Sequence, residues 1–354
     1  MSISVHQRPG VYSSYDASSV VSGRSAGRLV GLVAVHENAE VVSKGVQTVT
    51  SYDAAVTLFG AGKADGMAEL IRLALKNGAS GVVVLPIKNE EDYKDAFDQL
   101  NAIENIALVL CGSTEPNVQK LLLKSVAEAS GMRRERLCVL AGDADEEVNE
   151  LIARAKALNH ERAVLVAPGA VDSKGNALSG LPVAAAVAGV LAAESDPAIP
   201  LGGAELLGLS GLTVRLEDND LDQLILGGVT PVESVGGTVS VVRGVTTRTT
   251  TDNVSDATWR DLSTIRVADD VIPGLRSALR TRFRRAKNTA QSRGAIRSQV
   301  VLELENKLAR EIITGYEDVS VTADSEDPTR CLVEFAFTVA HGLNQIWLTA
   351  HITV

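Results

Sequence analysis

Aromatic side chains are scarce. Trp, Tyr and Phe together make up 3% of the 354 residues, too few for the stacking platforms that hold bases or sugars. Cysteine occurs three times, at Cys111, Cys138 and Cys331, far apart and outside any metal-ligand spacing. The three read as reduced core thiols of a chain made in a reducing cytoplasm. His6, His36, His160, His341 and His351 are the only histidines, and no two of them stand at metal-ligand spacing. Asp143 and Asp145, in GDADEE, read as acids at a helix start rather than as metal ligands. Neither a metal nor a cofactor is expected.

Long hydrophobic runs are also missing. The opening MSISVHQRPG has no apolar stretch of secretory-signal length. The most apolar run, Leu181–Ala193, is too short to span a bilayer and is rich in Ala. The expectation is a soluble protein with no membrane contact of its own. No GxxxxGK-Ser/Thr loop and no GxSxG turn occurs. Gly60, Gly62 and Gly66, in GAGKADG, are misspaced for a dinucleotide fingerprint and follow a helical pattern rather than a strand. Lys and Arg number 34 against 44 Asp and Glu, a net charge of −10, which argues against a nucleic-acid binder.

What is present is rhythm. GRLVGLVAVHE reads as a buried strand, and SYDAAVTLFG as a short helix from its N-cap Ser51 to Gly60. In ADGMAELIRLALKNGA, Met67, Leu70, Ile71, Ala74 and Leu75 fall at helical spacing, with Gly78 as the stop. From Asn89 onward, continuous apolar strands (NIALVLCG, RLCVLAG, RAVLVAP) alternate with amphipathic helices. That pattern implies a mostly parallel sheet covered by helices. EDNDLD, Glu217 to Asp222, reads as a turn opening a helix, and Gly227 to Thr251 as a hairpin-type β region. The helix RSQVVLELENKLAREI and two alternating strands, EDVSVTA and CLVEFAFTVA, follow.

Both ends differ from this body. Residues 8–27 carry a Pro-Gly turn and a Ser-rich run, which read as an extended arm. At the other end, QIWLTAHITV alternates Ile346, Leu348, Ala350, Ile352 and Val354 with Trp347, Thr349, His351 and Thr353, and carries no charge. This is the period-2 signature of a strand. An uncharged terminal strand needs something to tie it down.

One window reverses the charge. No acid occurs between Val271 and Leu302, while Arg276, Arg280, Arg282, Arg284, Arg285, Lys287, Arg293 and Arg297 all do. On one continuous helix Arg276, Arg280, Arg284 and Lys287 would form a stripe, with Leu275, Leu279, Phe283 and Ala286 as the adjacent anchoring stripe. The plain reading is a solvated basic face; the sharper one is an electrostatic dock for an acidic surface.

The ordered series of segments resembles the contractile tail sheath proteins of myophages and phage-tail-like bacteriocins. It is carried by RPGVY (residues 8–12), TSYDAAVTLFG (50–60), ALKNGASGVVVLPI (74–87), LDQLILGGVTPVESVGGTVSVVRGVTT (221–247) and RDLSTIRVADDVIPGLRSALRTRF (260–283). Where that family continues with a Phe/Tyr-Ile-Gly-Lys step, this chain has FRRAKNT. The resemblance implies terminal arms that add strands to sheets of neighbouring subunits, through Ile3, Val5, Val11, Tyr12, Ile346, Trp347, Leu348, Ile352 and Val354. It also implies that Arg276, Arg280, Arg284, Arg285 and Lys287 face the tail tube. Implied partners are further copies of the chain, the tube protein, and baseplate and tail terminator proteins, in a tail or tail-like particle assembled in the bacterial cytoplasm.

The expected fold is α/β and α+β, multidomain. It comprises an N-terminal arm (1–25), a sheath core from residues 26–88 and 246–340, an inserted α/β domain with the hairpin region (89–245), and a C-terminal arm strand (341–354). An enzyme or small-ligand binder with a doubly wound domain is the alternative, resting on strand-helix alternation alone. A nucleic-acid binder using the Arg-rich helix is a third reading, opposed by the net charge.

Overall fold

The computed structural model of the chain describes residues 28–352. Its first part is an α/β sandwich. In chain order the elements are β1 (Leu29–Val35), α1 (Ala39–Ser43), β2 (Gln47–Val49), α2 (Tyr52–Phe59), α3 (Met67–Lys76), β3 (Val82–Ile87), α4 (Tyr93–Asn101) and β4 (Ile106–Cys111). Then come α5 (Pro116–Gly131), β5 (Leu137–Ala141), α6 (Val148–Leu158), β6 (Ala163–Ala167), α7 (Leu181–Ala193), α8 (Asp218–Leu226), β7 (Val229–Val235) and β8 (Thr238–Val241).

The eight strands form one sheet in the order β2-β3-β1-β4-β5-β6-β7-β8, parallel from β3 to β7, with β2 and β8 antiparallel at the edges. Parallel strands buried on both faces need apolar side chains at every position. β1 meets this need: Val30 and Leu32 pack under α3 and α7, while Val33 packs under α4 and α5. α7 is apolar around its whole circumference and lies under cover, with Val183 to Ala188 sealed. Gly189 lets it press on α3, because a Cβ there would overlap the Ala74 carbonyl oxygen and lie 2.7 Å from Cβ of Asn77. Local signals act where the sequence places them. The Ser51 hydroxyl caps α2 at 3.3 Å from the Ala54 amide, and Gly78 follows α3 at φ +102°. The Gly236-Gly237 turn, φ +60° and +85°, joins β7 to β8.

The mixed class stands. β1, from residues 26–88, sits between β3 and β4, and its backbone bonds to both. Residues 29–241 therefore share one sheet, to which residues 26–88 and the expected insert both contribute strands.

A short ribbon, β9 (Thr250–Thr251) with β10 (Val254–Ser255), leads to a separate C-terminal unit. That unit contains α9 (Leu262–Phe283), α10 (Ala290–Ala309) and the antiparallel hairpin β11 (Ile313–Ala323) with β12 (Cys331–Val339). It has its own core, in which Val267, Val271, Leu275, Val300, Leu304, Ile312 and Ile313 are buried together. No helix among the described residues is long and apolar enough to cross a membrane.

Candidate functional site

The C-terminal unit joins the sheet through Leu262 and Ile265 of α9, buried in the sheet's core, and through charged groups at the amino-terminal ends of the strands. Arg162, just before β6, grips Asp269 of α9 in a two-pronged fork at 2.8 and 2.9 Å. Burial pushes the Asp269 carboxyl up, against the pull of Arg162. Arg276 donates to Glu135, which precedes β5, at 2.8 Å. Arg266, also on α9, is buried and donates to the carbonyls of Ile199 and Asp196 at 3.1 and 3.4 Å. Loss of water pushes its guanidinium down to about 10. Buried Arg136 is likewise pushed down to about 10 by burial, with the carbonyls of Leu100 and Ile103 around it.

These contacts change the expected basic stripe. Arg276 faces inward onto Glu135 and is not an open charge. The helix ends at Phe283, so Arg284 is its cap and Lys287 lies in the following loop. The stripe through Arg284 and Lys287 does not continue as helix, because no residue of RRAKNT extends the buried face. Asn288 instead ties the loop to the β11–β12 turn, donating to the carbonyls of Pro328 and Arg330 at 2.8 and 3.1 Å. Arg282 is bound to Gln299, Arg293 to Asn288 and Arg297 to the Val319 carbonyl. What remains is a compact cluster. Arg280, Arg284, Arg285 and Lys287 are exposed and make no salt bridge among the described residues.

The second surface is the chain end. In the single chain residues 340–352 form no helix or strand, so the strand expected from Gln345 has no partner here. A strand exists only when its backbone pairs, and no edge of this chain's own sheets meets the segment. Its apolar groups stand in solvent: Trp347 is 89% and Leu348 91% exposed, with Ile346 and Ile352 similar. The segment leaves β12 close to Pro200, where Gly342 has no room for a Cβ. Nearby, β11 and β12 pair only with each other, so both outer edges of this ribbon are unpaired among the described residues. Val333, Phe335, Phe337 and Val339 turn inward to α9 and α10, and Leu332, Glu334, Ala336 and Thr338 outward. Ile3, Val5, Val11, Tyr12 and Val354 lie outside the described residues.

The carboxyl ends of β5 and β6, where a doubly wound sheet holds ligands, carry a cleft of about 420 Å³. Asp143, Asp145, Glu147 and Asp220 line it, and Glu146 is occupied by Arg154 at 2.7 Å. No phosphate loop opens onto it, and no metal-binding group of His, Cys, Asp and Glu occurs among the described residues. Cys111 and Cys138 are buried, as expected, and burial pushes the Cys111 thiol up to about 12. Cys331 is a correction, being half-buried at a surface cleft rather than in the core. The sequence carried no signal for Glu135, Arg162 or Asp269, whose pairings span 141 and 107 residues.

Comparison with known proteins matches two segments of the chain. Residues 88–247 match the model of the phage tail sheath protein central domain, and residues 254–353 that of the phage tail sheath C-terminal domain. The tail sheath protein of Bacillus phage SP01 is 28% identical over 267 residues, 73% of this chain and 45% of its own. That of Mycobacterium phage Bxz1 is 24% identical over 300 residues, 78% of this chain and 49% of its own. The chain thus spans about half the length of these curated relatives. Among solved structures, the anti-feeding prophage helical sheath in its contracted state superposes with a TM-score of 0.72 at 17% identity, covering 98% of this chain and 99% of that one. A sheath tail protein from Desulfitobacterium hafniense gives 0.70 at 12% identity, covering 93% and 100%. These likenesses show a common fold.

Proposed function

The chain belongs to the phage tail sheath family, and from that premise we propose that it is the structural subunit of a contractile sheath, polymerising helically around a tail tube. The observation that carries this reading is a donor and an acceptor on one molecule. The uncharged segment 343–352 is exposed and unpaired, and the β11–β12 ribbon has open edges. In a monomer both are aggregation hazards. In a polymer the segment of one copy completes the ribbon of the next by strand addition. Such a contact is head-to-tail and open-ended, as a helical assembly requires. Ile346, Trp347, Leu348, Ile352 and Val354 would supply the donor strand, and Ile3, Val5, Val11 and Tyr12 a second one.

The cluster Arg280, Arg284, Arg285 and Lys287 would hold an acidic tube. Single exposed pairs are weak, and a repeated weak contact is one that contraction can release. The role is non-enzymatic, with no cofactor. Contraction draws its free energy from new contacts between subunits rather than from a nucleotide. Partners are further copies, the tube, and baseplate and tail terminator proteins, with no nucleic acid and no membrane contact by the chain itself. The particle is a virion tail or a phage-tail-like device assembled in the bacterial cytoplasm.

The test is electron microscopy of the purified chain beside a version lacking Gln345–Val354. Striated tubes from the full chain only are the expected outcome. Uniform small particles from both, unchanged when tube polymer is added, would overturn the reading and favour the ligand-binding alternative.

A further inference from the structure

We infer that the basic cluster, through Lys287, borders a socket that takes an apolar side chain from the acidic partner surface. This rests on the proposal above that Arg280, Arg284, Arg285 and Lys287 meet an acidic partner. Beside them lies a cleft of about 460 Å³ between the end of α9, the start of α10 and the β11–β12 turn. Phe283, Ala286, Ile296 and Cys331 give it an apolar lining, and Lys287 and Asn288 stand among its other lining residues. The two bonds from Asn288 to the turn hold the loop that walls it. In the β11–β12 turn Asp324 and Asp327 are engaged by Arg330 at 2.9 and 3.7 Å, which leaves Glu326 as the turn's acid without an ion pair among the described residues.

Charge alone would give this surface a weak and indiscriminate grip. A mixed cleft with an apolar side and the unpaired cation Lys287 in its lining selects a partner of stated chemistry: a carboxylate-rich segment bearing an exposed aromatic or aliphatic side chain. Binding strength in interfaces concentrates in anchors of that kind. The charges would set encounter and orientation, and the anchor would set residence.

The molecule carries its own reporter. Cys331 lines the cleft, whereas Cys111 and Cys138 are buried, and alkylation follows access to the thiol. The experiment measures the rate of Cys331 alkylation by iodoacetamide on the full chain, read by mass spectrometry. It is run alone, with poly-glutamate, and with a glutamate-tyrosine copolymer at matched carboxylate concentration. Binding of each polymer is followed separately by anisotropy. At about ten times the dissociation constant, mass action leaves roughly one chain in eleven open, so an occupied socket slows alkylation about tenfold. The expected result is that both polymers bind but only the copolymer protects Cys331, and that the uncharged replacement Ile296→Ser reduces protection without weakening poly-glutamate binding. Equal protection by the two polymers, or none by either while both bind, overturns the socket and leaves the basic surface standing. No binding of poly-glutamate at low salt overturns both. The polymer comparison uses the unaltered chain, so it does not depend on the variant folding.

Discussion

Asp269→Ala is expected to loosen the whole C-terminal unit from the sheet. The fork between Arg162 and Asp269 has side chains only 14% and 18% exposed, so the two charges interact in a medium far less polar than water. Removing the carboxylate leaves a guanidinium with one remaining bond, 3.2 Å to the Arg136 carbonyl. Glu161 and Glu135 remain as attracting charges on it. Breaking a fully buried pair costs about 3–5 kcal/mol. The residual exposure and the surviving carbonyl bond bring the expectation here to about 2–4 kcal/mol. Urea denaturation at a concentration below assembly measures it, as a fall in midpoint at unchanged slope if the chain unfolds as one unit. The double replacement Arg162→Met with Asp269→Leu removes both charges and fills the volume, and should recover most of the loss. Glu37→Ala is the control. It removes an equally short pair, Lys63–Glu37 at 2.7 Å, whose side chains are 72% and 86% exposed, and should leave the midpoint unmoved. A wild-type midpoint for Asp269→Ala, or a double variant as unstable as the single one, would refute the reasoning.

Reversing Arg280, Arg284, Arg285 and Lys287 to Glu should spare self-assembly yet abolish extended sheath on tubes; normally dressed tubes in micrographs would refute the basic-surface assignment. Gly189→Ala forces a methyl group into the α3–α7 contact and should cost about 1–3 kcal/mol, read from urea midpoints. His160 should make stability fall on acidification. Burial lowers its pKa below 6.5, and its Nδ1 accepts the Arg162 amide at 3.1 Å. The folded state therefore binds the proton more weakly than the unfolded state. Stability is whole above pH 6.5 and declines below it, towards the depressed folded value. His160→Gln should flatten that decline in midpoints measured between pH 7 and 5, and an unchanged slope would count against it.

Much of the fold was legible because its causes are local. The apolar runs of β3 to β6 are long enough only for strands buried on both faces, and Ser51, Gly60 and Gly78 bound their helices by backbone geometry that a few residues decide. The site was less legible. The acid-free window from Val271 to Leu302 announced a basic surface, but not which of its charges would be spent at home. Glu135 stands in RRERL with nothing to mark it as the partner of Arg276. The end of α9 was hidden for a related reason, since the loop that ends it is held by Asn288 on a turn some forty residues further along.

The sequence by itself determined the mixed α/β class, the alternation of strand and helix, the apolar character of α7 and the uncharged alternating end, because periodicity and composition dictate which surfaces must avoid water. Only the tertiary structure decided that β1 lies at the middle of one sheet and that Arg276 turns inward. It also decided that four cations remain open, Lys287 among them lining a cleft, and that the terminal segment stays unpaired. Those outcomes depend on which distant residues meet, and burial sets their energies. A charge is stable inside only against its opposite, and a strand forms only against another strand.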